Sequence, residues 1–157
     1  MNLYELSEIA DKRFSHGEEI PQNIVEGVKN IVSNGGFIGM AQINPIAGNI
    51  EYNAKKIAKY IKYSCKIGLD LVVFPELALM GYPIEDTIDR HPIIVEENIK
   101  WLKGLAKITV GTTALVGFVE PRKKDAEGKK YFNSVAILKD GKIAGIVRKS
   151  LLPNYSE

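Results

Sequence analysis

Apolar positions along the chain follow two rhythms, a helical spacing near 3.6 and short, nearly continuous runs, and the two alternate. Ile20, Ile24, Val28, Ile31 and Val32 recur at helical spacing, Pro21 sits in a first turn that tolerates it, and Asn34-Gly35-Gly36 supplies a stop. The pattern predicts an amphipathic helix over residues 20 to 33. Phe37 to Ile43 is an apolar run ended by Asn44-Pro45, and is expected to be a strand buried on both faces. A turn containing Gly48 leads to a second helical stretch from about Glu51 to Ile67. Ala54, Ile57, Ala58, Ile61 and Cys65 lie on one stripe of it, lysines lie on the other, and Gly68 occupies the C-terminal cap position. Leu69 to Phe74, interrupted only by Asp70, follows at once as a second strand. Strand, helix, strand in that order implies a parallel pair with a right-handed crossover.

After a loop rich in turn residues, Pro92 to Lys107 reads as a third helix with Val95, Ile99, Leu102 and Leu105 or Ala106 inward. Thr112 to Val119 is a third strand. Tyr131 to Leu138 and Lys142 to Val147 are strand-like runs joined by Lys139-Asp140-Gly141, a strong hairpin signal. The class is therefore α/β with a mixed sheet. The charged run from Arg122 to Lys130 is expected to form an exposed turn before the hairpin.

Composition narrows the possible partners. The 157 residues are 45% apolar and 25% charged, which suits a globular chain with a real core and excludes disorder. Twenty-one basic against nineteen acidic residues leave a net charge of +2, so nothing recommends nucleic acid or an anionic membrane as the main partner. One cysteine and two scattered histidines make neither an internal disulfide nor a zinc site of the usual spacing, and no metal is expected. A reducing cytoplasm fits. The opening MNLYELSEIADKR lacks the basic and apolar regions of a signal peptide, and no stretch approaches the roughly 20 apolar residues of a membrane span. The final RKSLLPNYSE stops right after a strand and a turn, so the length allows a domain without requiring a whole one.

Glu76 follows Leu71-Val72-Val73-Phe74-Pro75, which puts a carboxylate at the C-terminal end of a buried parallel strand, where open α/β sheets place ligand sites. Partial desolvation there is expected to raise its pKa and suit it to act as a general base; the plainer alternative is a capping or loop glutamate. Lys149 ends the last strand. If both strand ends open on one edge of the sheet, the two residues flank one pocket as base and oxyanion stabiliser; otherwise Lys149 is a solvated charge beside Arg148. Cys65 lies on the apolar stripe near a helix C-terminus, where the dipole disfavours a thiolate, and reads as an inert core residue. Gly81-Tyr82-Pro83-Ile84-Glu85-Asp86 fixes a loop just after Glu76 and offers the Tyr82 hydroxyl, or else is an ordinary turn with an aromatic anchor. His16 and His91 have no partners at catalytic spacing and are expected at the surface.

Four stretches in order resemble the carbon–nitrogen hydrolase (nitrilase) superfamily: Phe74-Pro75-Glu76-Leu77, Gly81-Tyr82-Pro83, Tyr131-Phe132-Asn133-Ser134, and Arg148-Lys149-Ser150-Leu151-Leu152-Pro153-Asn154-Tyr155. Ala41-Gln42-Ile43-Asn44-Pro45, Gly48-Asn49 and Asn53 are similar to that superfamily's first strand and helix. Within it, GYPIED and LPNY are most similar to the amino-terminal glutaminase domains of glutamine-dependent NAD(+) synthetases. The resemblance covers residues 37 to 155, leaving residues 1 to 36 as an extension with one helix and 37 to 157 as a partial domain.

The resemblance implies a nitrilase-like α-β-β-α sandwich, incomplete at the C-terminus. It also implies a Glu-Lys-Cys triad with Glu76 as base, Lys149 stabilising the tetrahedral intermediate, Tyr82 supporting the base, and Tyr155 in the glutamine site. The cysteine of that triad belongs on a strand beyond Lys149, and Cys65 does not match it, so the chain alone is expected to be inactive. A synthetase domain using ATP and Mg, glutamine as substrate, and a homo-oligomer are implied for the parent enzyme. The alternatives are a stand-alone amidase of the same superfamily and a non-catalytic interaction module.

Overall fold

In the computed structural model, which describes residues 36–82, 93–122 and 130–150 together with Gln22, Glu26 and Ile88, the two rhythms of the sequence separate into a sheet and a helical layer. The elements are β1 (Ile38–Met40), α1 (Ile50–Ile67), β2 (Leu71–Val73), α2 (Ile93–Ile108), β3 (Thr113–Pro121), β4 (Tyr131–Lys139) and β5 (Lys142–Arg148). The five strands form one sheet in sequence order. β1, β2 and β3 are mutually parallel, as the strand–helix–strand order implies, whereas β4 pairs antiparallel with both β3 and β5.

The helix signals act as expected. Asn49 caps α1, its side chain accepting from Tyr52 N at 3.2 Å, and Gly68 ends it in the left-handed region at φ 82, donating to Ser64 O and Cys65 O. Ile50, Ala54, Ile57 and Ile61 of α1 and Val95, Leu102, Leu105 and Ala106 of α2 join Val72, Ala114, Val116, Phe118, Ala136 and Leu138 of the sheet in one core. Burying such a face stabilises each element far more than its own propensity does. At the hairpin, Asp140 and Gly141 take φ 50 and 77, the pair of positive values that a two-residue turn between twisted strands requires.

The first strand corrects the expectation of burial on both faces. Only Ile38–Met40 pairs in the ladder, and Ile38 and Met40 are 65% and 85% exposed. β1 is a sheet edge, and these two side chains project from the face opposite the core. The residue that faces the core is Gly39, against which Leu69 packs so closely that a Cβ would stand 2.5 Å from Leu69 Cδ1. Ala41 and Ile43 are buried beyond the end of the ladder.

Of the helix expected over residues 20 to 33, Gln22 and Glu26 are described and are helical, with Gln22 Nε2 donating to Glu26 Oε1 at 3.4 Å. The rest lies outside the described residues. The ends of the charged run meet where Arg122 N donates to Lys130 O at 2.8 Å, and residues 123–129 between them are likewise outside. The described residues form one helical layer against one mixed sheet, which is the part of the expected α-β-β-α sandwich that they supply.

Candidate active site

Two antiparallel pairings in succession return β5 to the direction of β2 and β3, so the C-terminal ends of β2 and β5 open on the same edge of the sheet. Past Val73 the chain leaves β1 and climbs onto β3: Phe74 N donates to Leu115 O and Leu79 N to Gly117 O, both at 3.0 Å. Leu77, Ala78, Leu79 and Met80 are all buried beneath this turn. Gly117 permits the close approach, since a Cβ there would meet Leu77 N and stand 2.7 Å from Pro75 O. The turn itself carries strain at Leu77, a non-glycine residue at φ 51. Asn53, fully buried on α1, braces it: its side chain donates to Leu79 O at 3.2 Å and exchanges two bonds of 2.8 Å with the backbone of Ile46.

Glu76 is thereby held at the strand end with its side chain 55% exposed. Lys149 Nζ donates to Glu76 Oε1 at 2.9 Å, and Asn133 Nδ2 donates to the same oxygen at 2.5 Å. Lys149 and Asn133 are neighbours across the sheet, joined by Lys149 N to Asn133 O at 2.9 Å. Among the described residues no hydrogen bond reaches Oε2. The expected upward pKa shift is overturned. The hydrogen bond from Lys149, then that from Asn133, holds the Glu76 carboxyl below the usual carboxylate range against a smaller upward push from burial. The carboxylate is ionised at neutral pH, and among the described residues its Oε2 is unengaged and can accept a proton.

A bulge brings Lys149 to this face. Leu138 pairs with Ile143 but Ile137 with Gly145, so β5 carries Ala144 as an extra residue. Counting outward from the Asp140-Gly141 turn with every residue paired and no bulge puts Lys149 opposite Phe132, on the core face of the sheet. With the bulge, Lys149 falls opposite Asn133 and points to the same side as Glu76.

The other candidate residues are not gathered here. Tyr82 is 61% exposed on the loop after the turn, and among the described residues it makes no hydrogen bond to Glu76. Cys65 lies at the opposite end of the sheet, its Sγ donating to Val110 O at 2.8 Å just before β3 begins, and burial pushes its thiol pKa up. That environment suits the inert reading. Tyr155, His16 and His91 lie outside the described residues. Asn133 is the site residue that single-residue reading missed, although it stands in the Tyr131-Phe132-Asn133-Ser134 stretch. Its signal was the register of the hairpin, and the bulge obscured it. Among the described residues, no three His, Cys, Asp or Glu side chains could together hold a metal ion, and no helix is long and apolar enough to cross a membrane.

Comparison with known proteins meets this geometry. The chain is 42% identical over 120 residues to the glutamine-dependent NAD(+) synthetase of Thermotoga maritima, a match covering 75% of this chain and 20% of that protein. Among solved structures, the glutamine-dependent NAD(+) synthetase of Acinetobacter baumannii superposes with TM-score 0.65 at 31% identity, over 76% of this chain and 22% of that one. That of Cytophaga hutchinsonii gives TM-score 0.66 at 25% identity, over 74% and 19%. The chain spans about a fifth of the length of these relatives. The model of the carbon-nitrogen hydrolase family matches residues 37–157, so the strand-end carboxylate, its lysine and the sheet that aligns them belong to a chain of the carbon-nitrogen hydrolase family.

Proposed function

We propose that this chain forms part of the glutaminase site of a glutamine-dependent NAD(+) synthetase, with Glu76 as general base and Lys149 as oxyanion stabiliser. The observation that carries the reading is the placement of both described donors, Lys149 and Asn133, on one oxygen of Glu76, so that among the described residues the other oxygen has no donor and can take a proton. The relatives' names supply the substrate class.

In this reading Glu76 Oε2 accepts the proton of a cysteine thiol as its sulfur attacks the side-chain amide carbon of glutamine. The carbonyl oxygen becomes an oxyanion, and Lys149, whose ammonium has donors beyond the one used on Glu76, stabilises it. Collapse breaks the C–N bond, and ammonia leaves with the proton that Glu76 held. Water then adds to the thioester with Glu76 again taking a proton, and the C–S bond breaks to give glutamate and the free thiol. Asn133 keeps Oε1 engaged throughout and fixes which oxygen faces the thiol. Tyr82 acts in support of the base, and Tyr155 in the glutamine site.

Cys65, the one cysteine of the chain, stands at the far end of the sheet, so the nucleophile in this reading comes from outside residues 1–157. In this reading ATP and magnesium belong to a synthetase region that consumes the ammonia. Further copies of the chain in a cytoplasmic homo-oligomer complete the partners. The 157-residue protein is expected to release no ammonia from glutamine. Release that disappears in both Glu76→Gln and Cys65→Ser would place the nucleophile within the chain and overturn that assignment.

A further inference from the structure

On the opposite side of the sheet from the Glu76–Lys149 pair, a second charged cluster spans three strands. Arg148 Nε and Nη2 donate to the two carboxylate oxygens of Glu120 at 2.8 and 2.6 Å, and Ser134 Oγ donates to Glu120 Oε2 at 2.8 Å. The Arg148 guanidinium also lies 4.2 Å from the centroid of the Phe132 ring. The register explains the assembly: Phe132 is the β4 partner of Glu120 on β3, and Ser134 is the β4 partner of Arg148 on β5. The Glu120 side chain is only 14% exposed, so its carboxylate needs the partners it has.

Among the described strands β5 lies at a sheet edge, and its side chains are exposed or half-buried throughout, so burial does little to fix its register. The bulge at Ala144 shows that this strand takes a one-residue displacement. A further slip at its end would carry Lys149 to the other face, away from Glu76. A bidentate guanidinium–carboxylate fork stacked on an aromatic ring fixes position as few other contacts do.

We infer that Glu120 and Arg148 are positioning residues: their fork ties the last residue of β5 to β3 and thereby holds Lys149 within reach of Glu76. The inference rests on the reading of Glu76 and Lys149 as the catalytic pair. Neither positioning residue touches a reacting atom, and each acts through the alternation of the strand, Arg148 facing one side and Lys149 the other.

The test is the titration of the Glu76 carboxyl carbon by NMR in the 157-residue protein, in Glu120→Gln and in Arg148→Lys. Among the described residues, the groups facing that carboxylate are Lys149 from the end of β5 and uncharged Asn133 from β4. Removing the negative charge of Glu120 would by itself make Glu76 easier to ionise, so a direct field effect lowers its pKa. Loss of positioning frees Lys149 and raises it. Arg148→Lys conserves charge, removes the fork and keeps the experiment decisive if Glu120→Gln does not fold. A rise of the Glu76 pKa towards the ordinary range in the folded variants is the expected result. An unchanged or lowered value in either folded variant overturns the inference, even where the melting temperature falls. The readout needs no glutamine hydrolysis, so failure of the proposed activity and failure of the positioning role are distinguishable.

Discussion

Lys149 Nζ lies 2.9 Å from Glu76 Oε1 although 73 residues separate the two in the chain. The parallel sense of β2 and β5 puts both residues at one edge, and the extra residue in β5 turns them to one face.

Replacing Lys149 by Met removes the larger cause of the depressed Glu76 pKa, and the carboxyl should then titrate closer to the ordinary glutamate range. The sign for stability follows. A carboxyl whose folded pKa is lowered contributes stability above its unfolded pKa, and loses that contribution as the pH falls through the folded value. With side chains 38% and 55% exposed, the pair is worth at most about 1 kcal/mol. Urea unfolding should therefore show the wild type slightly more stable than Lys149→Met at pH 7 and equal to it once Glu76 is protonated. A difference that grows on acidification contradicts the assignment.

Gly117→Ala tests the seat of the turn that carries Glu76. The new methyl would collide with backbone atoms of Pro75 and Leu77, which cannot swing aside as a side chain can. Overpacking of this kind costs about 1–3 kcal/mol, and amide shifts from Pro75 to Met80 should move with it. A variant as stable as the wild type with those shifts unchanged would show that the turn does not rest on β3.

Deleting Ala144 removes the bulge. The hairpin should then pair without interruption from Asp140-Gly141, with Gly145 following Ile143 opposite Ile137 and every later pair kept, so that Lys149 stays opposite Asn133. Cross-strand NOEs between β4 and β5 report the pairing, and the Glu76 pKa should stay below the ordinary range, unlike in Lys149→Met. Loss of the Asn133–Lys149 pairing with a rise of the Glu76 pKa would show that Ala144 is not the extra residue that sets which way Lys149 points.

Periodicity made α1, α2, the hairpin and the order of the strands readable, because each buries one face against the same core and the apolar spacing records that face. Gly68 and Asp140-Gly141 were readable for a different reason, since their positive φ values restrict which residues can stand there. β1 was misjudged because an apolar run does not reveal which layer covers it, and Ile38 and Met40 face away from the core. The pKa of Glu76 was misjudged because its sign depends on partners far along the chain. Asn133 was missed because hairpin counting leads to Phe132, and the single residue Ala144 that corrects the count carries no mark in the sequence.

The central claim is that Glu76 and Lys149 are the base and lysine of a glutaminase site, and an exchange of segments tests it most directly. Residues 37–155 of this chain, placed in the glutamine-dependent NAD(+) synthetase of Thermotoga maritima in exchange for the matching segment, put the pair beside the rest of that enzyme. Ammonia release from glutamine is the measurement. The chimera should hydrolyse glutamine, and Glu76→Gln or Lys149→Met within it should each lower the rate at least about a hundredfold, as loss of a general base or an oxyanion donor does. A folded chimera whose ammonia release is unchanged by either substitution would contradict the account.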